Sequence, residues 1–111
     1  MPDRFAASVR ADGGAPVVEL IGQIDADAET ALLAAWDQAA AGADRVVLDF
    51  GRTDYINSTG LAIIVQVLAR ARAEHREVHA FGLSDHYREI FQITRLADFV
   101  TLHTDRAAAL A

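Results

Sequence analysis

Short apolar runs alternate with segments of helical spacing along this chain, and that alternation restricts the fold more than any other feature. DRVVLDF (44–50) is nearly continuous in apolar residues, as a strand buried on both faces of a sheet must be. A polar turn is expected after Phe50. NSTG (57–60) then opens a segment with Leu61, Ile64, Val65 and Leu68 on one stripe, widened by Ile63 and Val67. Such breadth predicts a helix packed on a sheet and partly covered elsewhere. It turns polar at RARAEHRE (70–77). VHAFGL (78–83) is the next strand, SDHYREIFQI (84–93) a helix capped by Ser84, FVTLH (99–103) the last strand, and TDRAAALA (104–111) a short helix capped by Thr104.

Upstream, RFAASVRA (4–11) and PVVELIGQI (16–24) read as two strands, with DGG (12–14) as the turn signal of a hairpin. In DADAETALLAAWDQAAAGA (25–43), Leu32, Leu33, Trp36 and Ala40 fall at helical spacing, acids crowd the first turn and Gly42 stops it. The expected order is β-β-α-β-α-β-α-β-α. It calls for an α/β fold, a small mixed β-sheet with an N-terminal hairpin, parallel strands joined by right-handed crossovers, and helices packed on it. With 111 residues and no linker, low-complexity tract or internal repeat, one domain over 1–111 is expected.

Composition removes several function classes. There is no cysteine, so disulfides, thiolate catalysis and cysteine-based metal sites are excluded. No apolar run reaches bilayer length, and the first residues lack the apolar core of a signal peptide, so a cytoplasmic protein without membrane insertion is expected. A net charge of −6 argues against nucleic acid, whose phosphates need a basic patch. The local cluster Arg70, Arg72 and Arg76 suits a helix C-terminus and reads as solvated.

Ser58 and Thr59 stand where a strand gives way to a helix. Spacing alone favours a plain role for Ser58, an N-cap whose hydroxyl accepts from an orphan backbone N–H. Gly60, costly in a helix by roughly 1 kcal/mol against alanine, asks for a reason, and a close backbone approach, either to the sheet or to something docking there, would supply one. A helix N-terminus also favours an anion, so a phosphoryl group on Ser58 would be tolerated there and would add about −1.5 to −2 charge to the surface. An interface that buried the neutral hydroxyl would then fail.

These residues resemble a known family. DYINSTGLAIIV (54–65) looks like the signature of STAS domains, in particular the anti-sigma factor antagonists of bacterial partner-switching systems, where an aromatic or apolar pair precedes Asp-Ser-Ser/Thr-Gly-Leu. LIGQID (20–25) is similar to the family's LxGxLD second strand, DRVVLDF to its third, and GLSDHYREIFQITRLADFV (82–100) to the region after the fourth. The resemblance implies a STAS fold and a non-enzymatic signalling role in transcription regulation, with no cofactor of its own. Ser58 would be the residue phosphorylated by an anti-sigma factor serine/threonine kinase, with Thr59 as the fallback. Unphosphorylated, such a protein binds the anti-sigma factor and frees the sigma factor; phosphorylation breaks the complex and a PP2C-type phosphatase restores it. Asp25 aligns with an acid near the phosphosite. The recognition surface implied is Asp25, Asp54, Tyr55, Asn57, Ser58, Thr59, Gly60, Leu61 and Ala62, with the exposed face of the 61–76 helix. Asn57 departs from the pattern, standing where many members have Asp, and a neutral neighbour repels a phosphate less.

Other roles compete. STAS domains of similar size serve as accessory subunits of lipid-transporting ABC systems, or in scaffolds and switches with non-sigma outputs. An enzyme ranks far behind, because there is no G-x-S-x-G elbow, phosphate-binding loop or dinucleotide fingerprint. No metal is expected. His75 and His79 straddle a helix end and a strand, His86 and His103 read as isolated surface residues, and DADAE (25–29) lacks the glycine turn and distal glutamate of a calcium loop. Tyr87, Ile90 and Phe91 read as core, and Trp36 as the anchor of the first helix.

Overall fold

The computed structural model describes residues 4–11 and 14–111. Five strands form one sheet in the order β1-β2-β3-β4-β5: β1 (Ala6–Arg10), β2 (Val17–Ile24), β3 (Arg45–Ile56), β4 (Glu77–Phe81) and β5 (Thr101–His103). β1 is antiparallel to β2, and the other neighbours are parallel. The helices are α1 (Glu29–Ala40), α2 (Ser58–Ala73), α3 (Asp85–Ile93) and α4 (Arg106–Leu110), with short 3-10 turns at Ala26–Ala28 and Leu96–Asp98. The order of strands and helices is the expected one. Part of the DGG turn signal lies outside the described residues.

Alternation along the strands splits the apolar residues between two faces. Val18, Leu20 and Ile24 of β2 join Val46, Leu48 and Phe50 of β3 and Val78 and Ala80 of β4 under α1, α2 and α3. Trp36 is buried there, and the Phe50 and Phe91 rings meet edge to face at 6.0 Å. The opposite face carries a small cluster of Val17, Val47 and Ala109, with Phe81 and Leu110 packed against it, so α4 covers only one end of the sheet.

Three local expectations are corrected. β3 does not stop at Phe50 but runs to Ile56, because β2 continues beside it past two register shifts as far as Ile24↔Ile56. Its other neighbour gives out earlier: β4 pairs only to Asp49↔Phe81. Gly82 then turns away with φ +88°, so close to β3 that a Cβ would lie 2.5 Å from the Gly51 nitrogen. The second correction concerns α2, whose buried side is Gly60, Ile63, Ile64, Val67, Leu68 and Ala71, while Val65 faces out at 45% exposure. The third is the cap of α4, which is Asp105, whose carboxylate accepts from the Ala108 N–H at 2.8 Å, and not Thr104.

Candidate functional site

The site is built on the part of β3 that outruns β4. Residues 51–56 have β2 on one side only, and on the other side the buried Tyr87 hydroxyl of α3 accepts from the Ile56 N–H at 2.9 Å. Tyr87 is core, as expected, but its polar end also holds the strand that delivers the turn. Ile90 is only partly buried, while Phe91 is fully so.

Beyond Ile56 the chain enters α2 against the end of β2. The Asn57 N–H donates to the Ile24 carbonyl at 3.2 Å. The Asn57 side-chain oxygen accepts from the Gly60 N–H at 2.8 Å, so Asn57 is the N-cap of α2. Such a cap contributes about 1 kcal/mol. Gly60 is buried and is the point of closest approach: a Cβ there would fall 2.0 Å from the Ile24 carbonyl oxygen, which leaves room for nothing but glycine. The close approach expected from the sequence is therefore made to the sheet.

These two facts change the reading of the hydroxyls. Ser58 is not the cap; it is the first residue of the helix. Ser58 and Thr59 are both exposed, and among the described residues neither hydroxyl has a hydrogen-bond partner. The neighbouring residues of the expected surface fall around them. Asp25 follows the paired Ile24 and Asn57 follows the paired Ile56, so the two turns leave the sheet side by side. The Asp25 carboxylate accepts from the Asp27 N–H at 3.0 Å and caps the 3-10 turn. Asp54 and Tyr55 are exposed on β3, Leu61 is half-buried and Ala62 is exposed.

The sequence did not reveal a second polar cluster, at the other end of β3. Arg45 donates to the carbonyls of Ala109 and Ala111, tying down α4, and to His79 Nδ1 at 3.2 Å. His79 Nδ1 also lies 2.8 Å from His103 Nε2, with the two rings stacked, and His79 Nε2 is 2.9 Å from a Glu77 oxygen. Because Arg45 can only donate, His79 Nδ1 accepts; His103 Nε2–H then donates to it and His79 Nε2–H donates to Glu77. His103 is thus not isolated. Partial burial, with repulsion from the His79 ring whenever that ring is protonated on both nitrogens and from the Arg45 guanidinium, holds its pKa below the ordinary 6.5. The hydrogen bond from His79 holds Glu77 below its ordinary 4.5. Only the parallel register of β4 and β5 brings the two histidines together. Two of the clustered arginines are engaged as well: Arg70 of α2 pairs with Asp37 at 3.1 Å, and Arg76, just past the end of α2, pairs with Glu74 and donates to the Ala43 carbonyl. Among the described residues, no group of three or more metal-ligating side chains could hold an ion, and no helix is long and apolar enough to cross a membrane.

A family model described as Mlab, STAS domain matches residues 7–102. The chain belongs to the STAS family. It is 39% identical over 70 residues to BtrV of Bordetella bronchiseptica, assigned as an anti-sigma factor antagonist, across 63% of this chain and 60% of that protein. Over 55 residues it is 34% identical to the anti-sigma-B factor antagonist of Listeria monocytogenes, across 50% of this chain and 48% of that protein. The matched regions thus span about half to three fifths of these relatives. An anti-sigma factor antagonist structure from Mycobacterium paratuberculosis superposes with a TM-score of 0.81 at 23% identity, covering 98% of this chain and 93% of that one. The unphosphorylated form of the antagonist SpoIIAA superposes at 0.71 with 16% identity, covering 93% of this chain and 92% of that one. At such identities the structures show the fold alone, the mixed sheet and helices of STAS anti-sigma factor antagonists.

Proposed function

We propose that this protein is a non-enzymatic anti-sigma factor antagonist, a single cytoplasmic STAS domain switched by phosphorylation of Ser58. With Ser58 free it binds an anti-sigma factor that is also its serine/threonine kinase; with Ser58 phosphorylated it lets go, and a PP2C-type phosphatase resets it. The observation that carries this reading is the division of labour at the start of α2. Asn57 caps the helix, and Ser58 is exposed at its first position with a hydroxyl that bonds to none of the described residues. Thr59, also exposed, is the second acceptor. The relatives named as anti-sigma factor antagonists support it. So does the likeness to SpoIIAA, which is described in both unphosphorylated and phosphorylated forms.

The transfer chemistry belongs to the partner, which brings ATP and magnesium. Ser58 Oγ bonds to the γ-phosphorus as the bond to the bridging oxygen of ADP breaks, and the hydroxyl proton passes to a base of the kinase. This chain contributes position. The N-terminal end of α2 favours the added negative charge, and the neutral Asn57 amide spares it a second carboxylate beside Asp25, at the preceding position. An interface fitted to the neutral hydroxyl around Asp25, Asp54, Tyr55 and Ala62 would have to bury that charge unpaired, which costs 3 kcal/mol or more, roughly a hundredfold in affinity.

The test is capture from the native host with wild type, Ser58→Ala and Ser58→Glu as bait, alongside site mapping of phosphate on the endogenous protein. Wild type and Ser58→Ala are expected to retain a serine kinase of the anti-sigma class, with Ser58→Glu losing it. Equal capture by Ser58→Glu, with no phosphate on Ser58 or Thr59 in any growth or stress state, would overturn the switch. The exposed turn would then be a constitutive docking surface, as an accessory subunit of a transporter needs.

A further inference from the structure

Four large apolar residues are exposed among the described residues: Tyr55, Val65, Ile93 and Phe99. Two of them, Val65 at 45% and Phe99 at 44% exposure, line the same cavity. It holds about 290 Å³ between α2 and the turn before β5, and its other walls are Leu68, Ala69 and Arg72. Its lining is apolar apart from one guanidinium, that of Arg72, which lies 5.1 Å from the centre of the Phe99 ring.

Two further observations say what such a cavity is for. One is its place. Ser58, Ala62, Val65, Ala69 and Arg72 follow one another at steps of four and three residues, and all are exposed. At the α-helical repeat they fall within an arc of about 80°, and the cavity begins roughly 10 Å along the axis from Ser58. The cavity and the hydroxyl are therefore on the same open face of α2. The other observation is charge. Arg70, Arg76 and Arg95 are paired with Asp37, Glu74 and Asp98. Arg72 has no carboxylate partner among the described residues, only the face of an aromatic ring, in a chain whose net charge is −6. A cation–π contact leaves the outer N–H groups of the guanidinium available to a carboxylate in its fork geometry.

We infer that this cavity is a second anchor for the partner that reads Ser58, taking an apolar side chain that stands beside an acidic residue on that partner. The inference rests on the proposed phosphorylation switch and deepens it. The apolar side chain fills the space between Val65, Leu68 and Phe99, and the acid meets Arg72 at the rim. A face that only had to present a hydroxyl would not need an apolar hollow edged by a cation that no described carboxylate pairs. Two separate anchors divide the work: the Ser58 turn senses phosphate, and the cavity supplies affinity that phosphate does not alter. A second copy of this chain is the competing occupant, but docking there would cover the face that carries Ser58.

The experiment is calorimetric titration of the purified kinase captured above into wild type, Val65→Gln, Arg72→Glu and Ser58→Glu, with melting curves for each. Val65 and Arg72 are exposed, so their variants are expected to melt as wild type does. Val65→Gln and Arg72→Glu should each weaken binding about tenfold, and Arg72→Glu should also flatten the loss of wild-type affinity with added salt. If both bind like wild type while Ser58→Glu does not, the cavity inference fails and the switch stands. If no variant alters binding, Ser58→Glu included, or no such kinase is captured, the switch fails and takes this inference with it. Sedimentation of the protein alone is the remaining check. A wild-type dimer that Val65→Gln or Arg72→Glu turns into monomer would make the occupant a second copy and overturn the inference.

Discussion

β3 has a cluster of polar side chains at each end, and the two are built on opposite plans. At its start, Arg45, His79, His103 and Glu77 are bonded to one another and to the backbone of α4. At its finish, the backbone groups are satisfied by the Asn57 cap, the Tyr87 hydroxyl and the Ile24 carbonyl, and the Ser58 and Thr59 hydroxyls are left over. The closed end uses its side chains to hold the fold together. The open end lets buried neighbours hold the frame, so the exposed side chains are free for a partner. Substitutions at the closed end should therefore change stability and spare binding, and substitutions of the exposed hydroxyls should do the reverse.

The largest effect is expected from Gly60→Ala, which divides the open end into frame and display. Its Cβ would collide with the Ile24 carbonyl oxygen, and backbone cannot yield as a flexible side chain would. A loss of about 3 kcal/mol in urea unfolding is expected, against less than about 0.5 kcal/mol for Ser58→Ala two residues earlier. Equal stability of the two variants would mean that α2 can back away from the sheet, and the frame would be no frame.

Next comes Arg45→Met, which keeps most of the apolar stem and removes the bonds to Ala109, Ala111 and His79. About 2 kcal/mol is expected to be lost, with faster amide exchange in α4 and unchanged affinity for the Ser58 partner. A fall in affinity would show that the two ends are coupled through β3.

The smallest effect is in the pH profile. The folded protein holds His103 below 6.5, so at pH values between the folded and unfolded pKa the unfolded chain binds more protons. The stability contributed by neutral His103 is present above the unfolded value and is lost as pH falls through that window. Glu77, also held low, adds stability above 4.5 that is lost as pH falls through its folded pKa. Melting temperatures between pH 7.5 and 5.5 should fall for wild type and fall less for His103→Gln, while Ser58→Ala follows wild type. A flat wild-type profile would remove the histidine pair from the closed end's account.

Much of the architecture was legible before any coordinates. Strand and helix order follow from apolar runs and helical spacing, and Gly60 signalled a close approach before the approaching group was known. The errors share a cause. Six apolar residues, Leu61, Ile63, Ile64, Val65, Val67 and Leu68, cover more than half the circumference of α2. Spacing alone therefore could not say which edge of that arc faces water. The same local view made Ser58 the cap, since Asn57 and Ser58 are both good capping residues one position apart. It also ended β3 at Phe50, because an extension paired on one side only need not be apolar.

The sequence by itself determined the family, the order of elements and the stretch in which the hydroxyls sit, all of which depend on residues near one another in the chain. Only the tertiary structure decided which hydroxyls are free, where α2 turns its open face, and that His79 meets His103. Those outcomes depend on contacts between distant segments. The Ile24 carbonyl against Gly60 sets the rotation of α2 about its axis, and that rotation puts Ser58, Val65 and Arg72 on one exposed line.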